Sequence, residues 1–180
     1  CGVGLDISNL RPEDTPVNNS AGTTTGAWSF ADFYSYVCRM IGQNGRRGAL
    51  MITMDIRHPD IEKFITMKHN LAKVTGANVS VKITDDFMRA VEANNSFALR
   101  WPINNSSCDY KVAKIVEARD IWNLIVNSAT KTAEPGILMW DNITKYLPAE
   151  SYSDDGFKTI CTNPCSEIPL SAYDLSLIHI

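Results

Sequence analysis

No stretch of this chain is long and apolar enough to span a bilayer, and no signal-like leader precedes its first turn-rich segment. No membrane partner is expected. Basic residues neither cluster nor predominate: 17 Lys and Arg stand against 20 Asp and Glu, for a net charge of −3. Without a basic stripe nothing holds a polynucleotide backbone, although a mononucleotide needs only a few donors. Cysteine is sparse and odd in number, five in 180 residues. That argues against a secreted disulfide framework and for the reducing cytoplasm. Repeats, low-complexity tracts and charge runs are missing too. What remains is 44% hydrophobic and 21% charged, enough for one sizeable globular core.

The pattern along the chain alternates between helix and strand. Residues 11–27 are loop-like, with Pro12, Pro16, Asn18, Asn19, Gly22 and Gly26. Ser29 is the expected N-cap, with Asp32 three residues on, of a helix reaching Met40 or Ile41. Its apolar face would be Phe33, Val37, Met40 and Ile41, and Gly42 would end it. After a short glycine–arginine loop over 43–48, a strand is predicted from Ala49 to Met54, with Leu50, Ile52 and Met54 alternating. Pro59 opens a helix carrying Ile61, Phe64, Ile65 and Lys68 on one face. A second alternating strand runs through Val79, Val81 and Ile83. Thr84 or Asp85 then caps a helix with Phe87, Met88 and Val91. Short strands are expected at 97–101 and 111–116, and a helix near 118–133 with Ile121, Trp122, Ile125 and Ala129 inward. Glu134-Pro135-Gly136 ends that helix, because the residue before proline is pushed out of helical space, and Ile137 to Trp140 read as a buried strand. Strands alternating with helices predict an α/β architecture with parallel pairing.

The segment Asn163-Pro164-Cys165-Ser166-Glu167-Ile168-Pro169 carries the most chemistry. It sets an amide, a thiol and a carboxylate at alternate positions. Pro164 and Pro169 disfavour a regular helix, and if the backbone is extended, period-two geometry puts Asn163, Cys165 and Glu167 on one face. On spacing alone, a proline-bracketed loop with a free cysteine packed as a small hydrophobe accounts for it better. Gly45, Arg46, Arg47 and Gly48 offer backbone N–H groups and planar guanidinium forks to an anion, or simply make a solvated turn. Gly22 to Gly26 lacks the Lys-Ser/Thr of a P-loop. Cys161 and Cys165 have no zinc-completing neighbours, and His58, His69 and His179 have no ligand spacing. His58 before Pro59 reads as a helix start. Cys38 and Cys108 are expected to pack or stay free.

Several ordered motifs together resemble the ribonucleotide reductase catalytic subunit. Asn163-Pro164-Cys165-Ser166-Glu167-Ile168 looks like its finger loop, closest to the adenosylcobalamin-dependent (class II) branch; the iron-dependent class I more often has leucine at the position of Pro164. Cys1-Gly2-Val3-Gly4-Leu5-Asp6 resembles the glycine-rich strand that opens the family's barrel. Residues 16–26, with Asn18, Asn19, Ser20, Gly22 and Thr23, resemble the first specificity loop. Gln43, Gly45, Arg46, Arg47 and Gly48 fall in the second. Asp55-Ile56-Arg57-His58-Pro59-Asp60-Ile61 and Glu134-Pro135-Gly136-Ile137 complete a match, in order, over nearly all of residues 1–174.

The resemblance implies part of a ten-stranded α/β barrel, its first half plus the finger loop. It implies radical reduction of ribonucleotides to deoxyribonucleotides with adenosylcobalamin, whose contacts would lie mostly outside this chain. Cys165 would carry the thiyl radical that takes the 3′-hydrogen, shielded by Pro164, Ile168 and Leu170. Glu167 would act as general base on the 3′-hydroxyl, and Asn163 would hold the ribose hydroxyls. Loop 16–26 would meet a deoxynucleotide effector at a subunit interface, and Arg47 would pass its identity to the substrate base. Implied partners are the ribonucleotide, the effector, a thioredoxin-like or other dithiol reductant, and a second copy in a homodimer. The alternatives are a class I subunit fed by a separate metal-containing radical subunit, or an inert nucleotide-binding fragment.

The family pattern continues after Asp174 with Ser-Cys-Arg-Leu, where this chain has Leu175-Ser176-Leu177-Ile178. Residues 175–180 are therefore expected to be a non-native tail, both ends to be cuts through a longer protein, and the isolated chain to be inactive.

Overall fold

A computed structural model describes residues 2–41, 48–70, 72–104 and 109–174. Its centre is a four-stranded parallel sheet in the order β1 (Gly2–Asp6), β2 (Ala49–Asp55), β3 (Asn78–Ile83), β6 (Gly136–Met139). The expected α/β class and parallel pairing hold here. Helices α1 (Ala27–Met40), α2 (Ile61–Thr66), α3 (Asp85–Ala93) and α4 (Ala118–Thr132) supply the crossovers. Outside the main sheet, β4 (Ser96–Trp101) forms an antiparallel ribbon with β5 (Val112–Glu117).

Strand register sorts the side chains onto two unlike faces. Leu5 is opposite Ile52 and Ile52 opposite Val79, while Asp6 is opposite Thr53 and Thr53 opposite Ser80. Side chains alternate along a strand, so Leu50, Ile52, Met54, Val79, Val81 and Ile83 share one face. All are buried, in one cluster with Ile61, Phe64, Phe87, Ile121 and Ile125 from the helices. The other face carries Gly2, Gly4 and Asp6 of β1, Thr53 and Asp55 of β2, and Ser80 and Lys82 of β3. Burial of both faces leaves β2 without an exposed side, as expected of a strand inside a parallel sheet.

Helix edges follow local chemistry. Thr84 caps α3, its Oγ1 accepting the Phe87 N–H at 3.3 Å. The chain leaves α4 at Ala133 in the left-handed region, one residue before Glu134-Pro135. Two expectations fail. The buried strand expected over Ile137 to Trp140 stops at Met139, with Leu138 buried but Ile137 and Met139 exposed, and Trp140 begins a short helix, α5 (Trp140–Lys145). Helix α1 starts at Ala27 rather than beyond Ser29, and its expected inner face points outward: Phe33 is 58% exposed and Met40 67%. Ala27, Ala31 and Ser35 are buried instead. Small side chains let the helix lie close, and the Ser35 hydroxyl accepts the Gly76 N–H at 2.8 Å. The Gly42 stop lies outside the described residues.

The missing cap of α1 comes from a distant turn. Asp60 accepts the Ala27 N–H on Oδ2 at 2.8 Å and the Glu13 N–H at 3.1 Å on Oδ1. A carboxylate there also complements the positive end of the helix. Gly26 makes room: at φ +91°, a Cβ on it would lie 2.7 Å from Asp60 Oδ2. His58 fixes the same turn. Its Nδ1 accepts the Asp60 N–H at 3.0 Å, so the proton sits on Nε2, which donates to the Leu10 carbonyl at 3.0 Å. The histidine is structural and fully buried.

Burial pushes the His58 pKa below its ordinary value of 6.5, against the opposing pull of the Leu10 carbonyl and of Asp60, Asp55 and Asp6. The unfolded state therefore takes up this proton first as pH falls. The stability tied to neutral His58 is complete above about 6.5 and declines below it, by at most about 1.4 kcal/mol per pH unit. Burial raises the Asp60 carboxyl, which acts in the opposite sense but from the lower carboxylate range. Urea unfolding of the full-length protein should show stability falling just below pH 6.5, with a shallower slope in His58→Gln. Equal slopes would mean His58 is not held neutral.

Candidate functional site

Residues 157–171 fold back across the polar face of the sheet as a hairpin. Strand β7 (Thr159–Thr162) pairs antiparallel with β8 (Pro169–Ser171), with an irregularity between Thr159 and Cys161. Glycine in β1 is what admits it. A Cβ on Gly4 would lie 2.0 Å from the Thr162 carbonyl oxygen, and one on Gly2 would lie 2.4 Å from the Pro164 ring. The alternating glycines of β1 are thus the seat of the hairpin rather than a phosphate cradle. Asn78, at the start of β3, donates from Nδ2 to the Pro164 carbonyl at 2.9 Å. The tip therefore sits at the amino ends of β1 and β3.

The tip is a closed turn and not the extended segment expected. The Asn163 N–H donates to the Ile168 carbonyl at 3.1 Å, and the Ser166 N–H donates to the Asn163 carbonyl at 3.0 Å. Ser166 takes φ +72° to complete the reversal. The Asn163 side chain serves the turn as well, its Oδ1 accepting the Ile168 N–H at 3.1 Å. Asn163 is half-buried, and its Oδ1 is the side-chain atom engaged in the turn. Cys165 and Glu167 are both exposed, and neither side chain has a hydrogen-bond or ion-pair partner among the described residues. The expected shielding of Cys165 by Pro164, Ile168 and Leu170 is therefore not found. Pro164 is buried against Gly2, and Ile168 and Leu170 are half-buried, while Cys165 is exposed.

The other cysteines behave differently. Cys161 is buried one residue before the end of β7, with Sγ 3.5 Å from Thr53 Oγ1, and burial raises its pKa. Cys38 is partly buried, and Cys1 and Cys108 lie outside the described residues.

Residues 16–23 form a small exposed loop. Pro16 bridges Thr23, the Val17 N–H donates to Gly22 O at 2.9 Å, and Asn19 Oδ1 accepts the Ala21 N–H at 3.0 Å. Asn18, Asn19, Ser20, Gly22 and Thr23 are all exposed. Gln43, Gly45, Arg46 and Arg47 lie outside the described residues; Gly48 is described and half-buried. Loop 16–26 and the start of β2 stand at opposite ends of α1, about 20 Å apart for fourteen helical residues.

Beneath the hairpin stem lies a group that periodicity did not reveal. Lys82 Nζ is 2.5 Å from Asp6 Oδ2, and the two side chains are 7% and 6% exposed. Asp6 also accepts from Thr53 Oγ1 at 2.9 Å and Ser8 Oγ at 3.1 Å. Asp55 holds Arg57 through Nε at 2.8 Å and Nη2 at 2.5 Å, which keeps the guanidinium firmly charged. A cavity of about 400 Å³ opens beside this cluster, at the carboxyl ends of the strands. The available signal was a lysine in the apolar run Val79 to Ile83, in phase with Ser80.

The family model for the ribonucleotide reductase barrel domain matches residues 1–177. A vitamin B12-dependent ribonucleoside-diphosphate reductase of Thermoplasma acidophilum is 36% identical over 96% of the chain and 22% of its own length. The protein of the same name from Mycobacterium tuberculosis is 33% identical over 96% of the chain and 24% of its own length. A variola virus ribonucleoside-diphosphate reductase large subunit is 27% identical over 93% of the chain and 24% of its length. The chain thus spans about a fifth to a quarter of these relatives.

Close packing between β1 and the hairpin gives a direct test. Gly4→Ala in the full-length protein should lower the free energy of unfolding by about 1–3 kcal/mol, the cost of overpacking against backbone. A urea midpoint indistinguishable from wild type would show that the hairpin does not rest on Gly4.

Proposed function

The chain belongs to the ribonucleotide reductase family, and from that premise we propose that it carries the radical cysteine of a catalytic subunit that converts ribonucleotides to deoxyribonucleotides. One observation carries this reading. Within a chain matched to the family's barrel domain, Asn163, Cys165 and Glu167 share one hairpin tip, and the thiol and carboxylate lack partners among the described residues.

Each group has a task its geometry permits. The Cys165 thiol, as a thiyl radical, removes the 3′-hydrogen of the ribose. The Glu167 carboxylate takes the 3′-hydroxyl proton as general base, which helps the 2′-hydroxyl depart as water. Asn163 has committed Oδ1 to its own turn, so it orients the ribose by donating from Nδ2. A dithiol reductant of the thioredoxin kind supplies the two electrons. A radical sulfur must be kept from water, and the rest of the subunit is assigned that cover.

Adenosylcobalamin is the radical source favoured by the vitamin B12-dependent relatives. The exposed Cys165 thiol, free of partners among the described residues, fits a group whose hydrogen must be reached from outside the hairpin. When bound, the cofactor would supply the one-electron oxidation that makes the thiyl. We assign no corrinoid contact to the described residues. The viral large subunits also match, so the second reading is a class I subunit served by a separate metal-containing radical subunit.

The exposed loop 16–26 would contact a deoxynucleotide effector. The outward apolar face of α1, with Phe30, Phe33, Tyr36 and Met40, would pack against a second copy, so that loops from two chains meet at one effector.

The test is anaerobic conversion of a ribonucleotide by the full-length protein with dithiol and adenosylcobalamin. Wild type should turn over, Cys165→Ala should be inactive, and Glu167→Gln should lose on the order of 10²–10⁴ in rate. Turnover by Cys165→Ala would refute the assignment. Turnover only with an added metal subunit would establish the class I reading.

A further inference from the structure

Lys82 has a site of its own beneath the hairpin. Its ammonium has three N–H donors and three acceptors around it. The Asp6 carboxylate stands at 2.5 Å, the Ile160 carbonyl accepts a hydrogen bond, and the Trp140 ring centroid lies 3.9 Å away. These partners come from β1, β7 and α5, so one buried charge ties three elements to β3. Of them, Ile160 is the nearest in sequence to the reactive tip, three residues before Asn163. Thr53 extends the tie, its Oγ1 touching both Asp6 Oδ2 at 2.9 Å and Cys161 Sγ at 3.5 Å.

This arrangement differs from an ordinary surface ion pair, which adds little. A buried pair replaced by apolar groups of like volume commonly leaves stability unchanged or improved. Stability therefore does not explain a charged pair at this buried position. A directional role does. The irregularity between Thr159 and Cys161 falls at Ile160, and Lys82 donates a hydrogen bond from Nζ to the Ile160 carbonyl there. The stem gains a fixed height and register over the sheet.

We propose that Lys82 is a positioning residue that sets the register of the hairpin stem over β1, and through it the place of Cys165. The claim rests on the radical-site reading only for its kinetic consequence; the structural consequence stands without it. A shift of about 1 Å in a reacting group can cost on the order of 100-fold in rate.

Removing one charge strands the other, so Lys82→Met alone is a poor probe. The double variant Asp6→Asn with Lys82→Met removes both charges and leaves Asn to accept from Thr53 and Ser8. In the full-length protein, amide hydrogen exchange should speed up at least tenfold in peptides covering residues 157–171 and stay at wild-type rates in β2 and β3. Turnover should show kcat down tenfold or more with KM within threefold. Trp140→Leu keeps both charges and removes only the ring; it should give the same hairpin-confined exchange at smaller amplitude, and it answers the question if the double variant fails to fold. Wild-type exchange in the hairpin, or equal acceleration across the whole sheet, overturns the proposal. If no wild-type turnover exists, the exchange result still decides the role of Lys82, and only the radical-site reading falls.

Discussion

A hairpin can lie flat on a parallel sheet only where the sheet offers no side chains to hold it off. Gly2 and Gly4 meet that condition on β1, bringing the Thr162 carbonyl and the Pro164 ring against the strand backbone. The remainder of the site depends on this contact. It places Cys161 over Thr53, brings the Ile160 carbonyl within reach of Lys82, and lets Asn78 hold the tip. The result is a turn bearing Asn163, Cys165 and Glu167 carried on strands, where a short segment can be aimed reproducibly.

The helix layer obeys a different constraint. The turn from Asp55 to Ile61 acts as a hub: Asp55 clamps Arg57, neutral His58 reaches back to Leu10, and Asp60 closes the start of α1. Loop 16–26 is thereby anchored at both of its ends while its tip stays free. A loop tethered to buried groups and exposed at its tip suits ligand contact at low ordering cost.

Much of this was legible in the residues, for identifiable reasons. The apolar alternation Leu50, Ile52, Met54 and Val79, Val81, Ile83 gave two central strands, and Thr84 gave the start of α3. Both signals are local. The failures are tertiary. Helix α1 turned its large apolar residues outward because Ala27, Ala31 and Ser35 fit against the core and the bulkier side does not. Asn163, Cys165 and Glu167 lie in a closed turn through Ser166 rather than on one face of an extended segment, a reversal that period-two counting cannot register. Lys82 was hidden because its partners Asp6, Trp140 and Ile160 lie 76, 58 and 78 residues away in the chain. No pattern within a single element signals such a charge. The family resemblance came from ordered motifs, and the match over residues 1–177 supports it.

The central claim is that a sulfur radical forms on the hairpin tip. Paramagnetic resonance of the full-length protein, frozen rapidly after mixing with adenosylcobalamin and nucleotide, tests it most directly. Protein grown with β-deuterated cysteine should give a signal with narrowed hyperfine structure, and Cys165→Ala should give no such component. A signal indifferent to cysteine labelling, or one that persists in Cys165→Ala, would contradict the account.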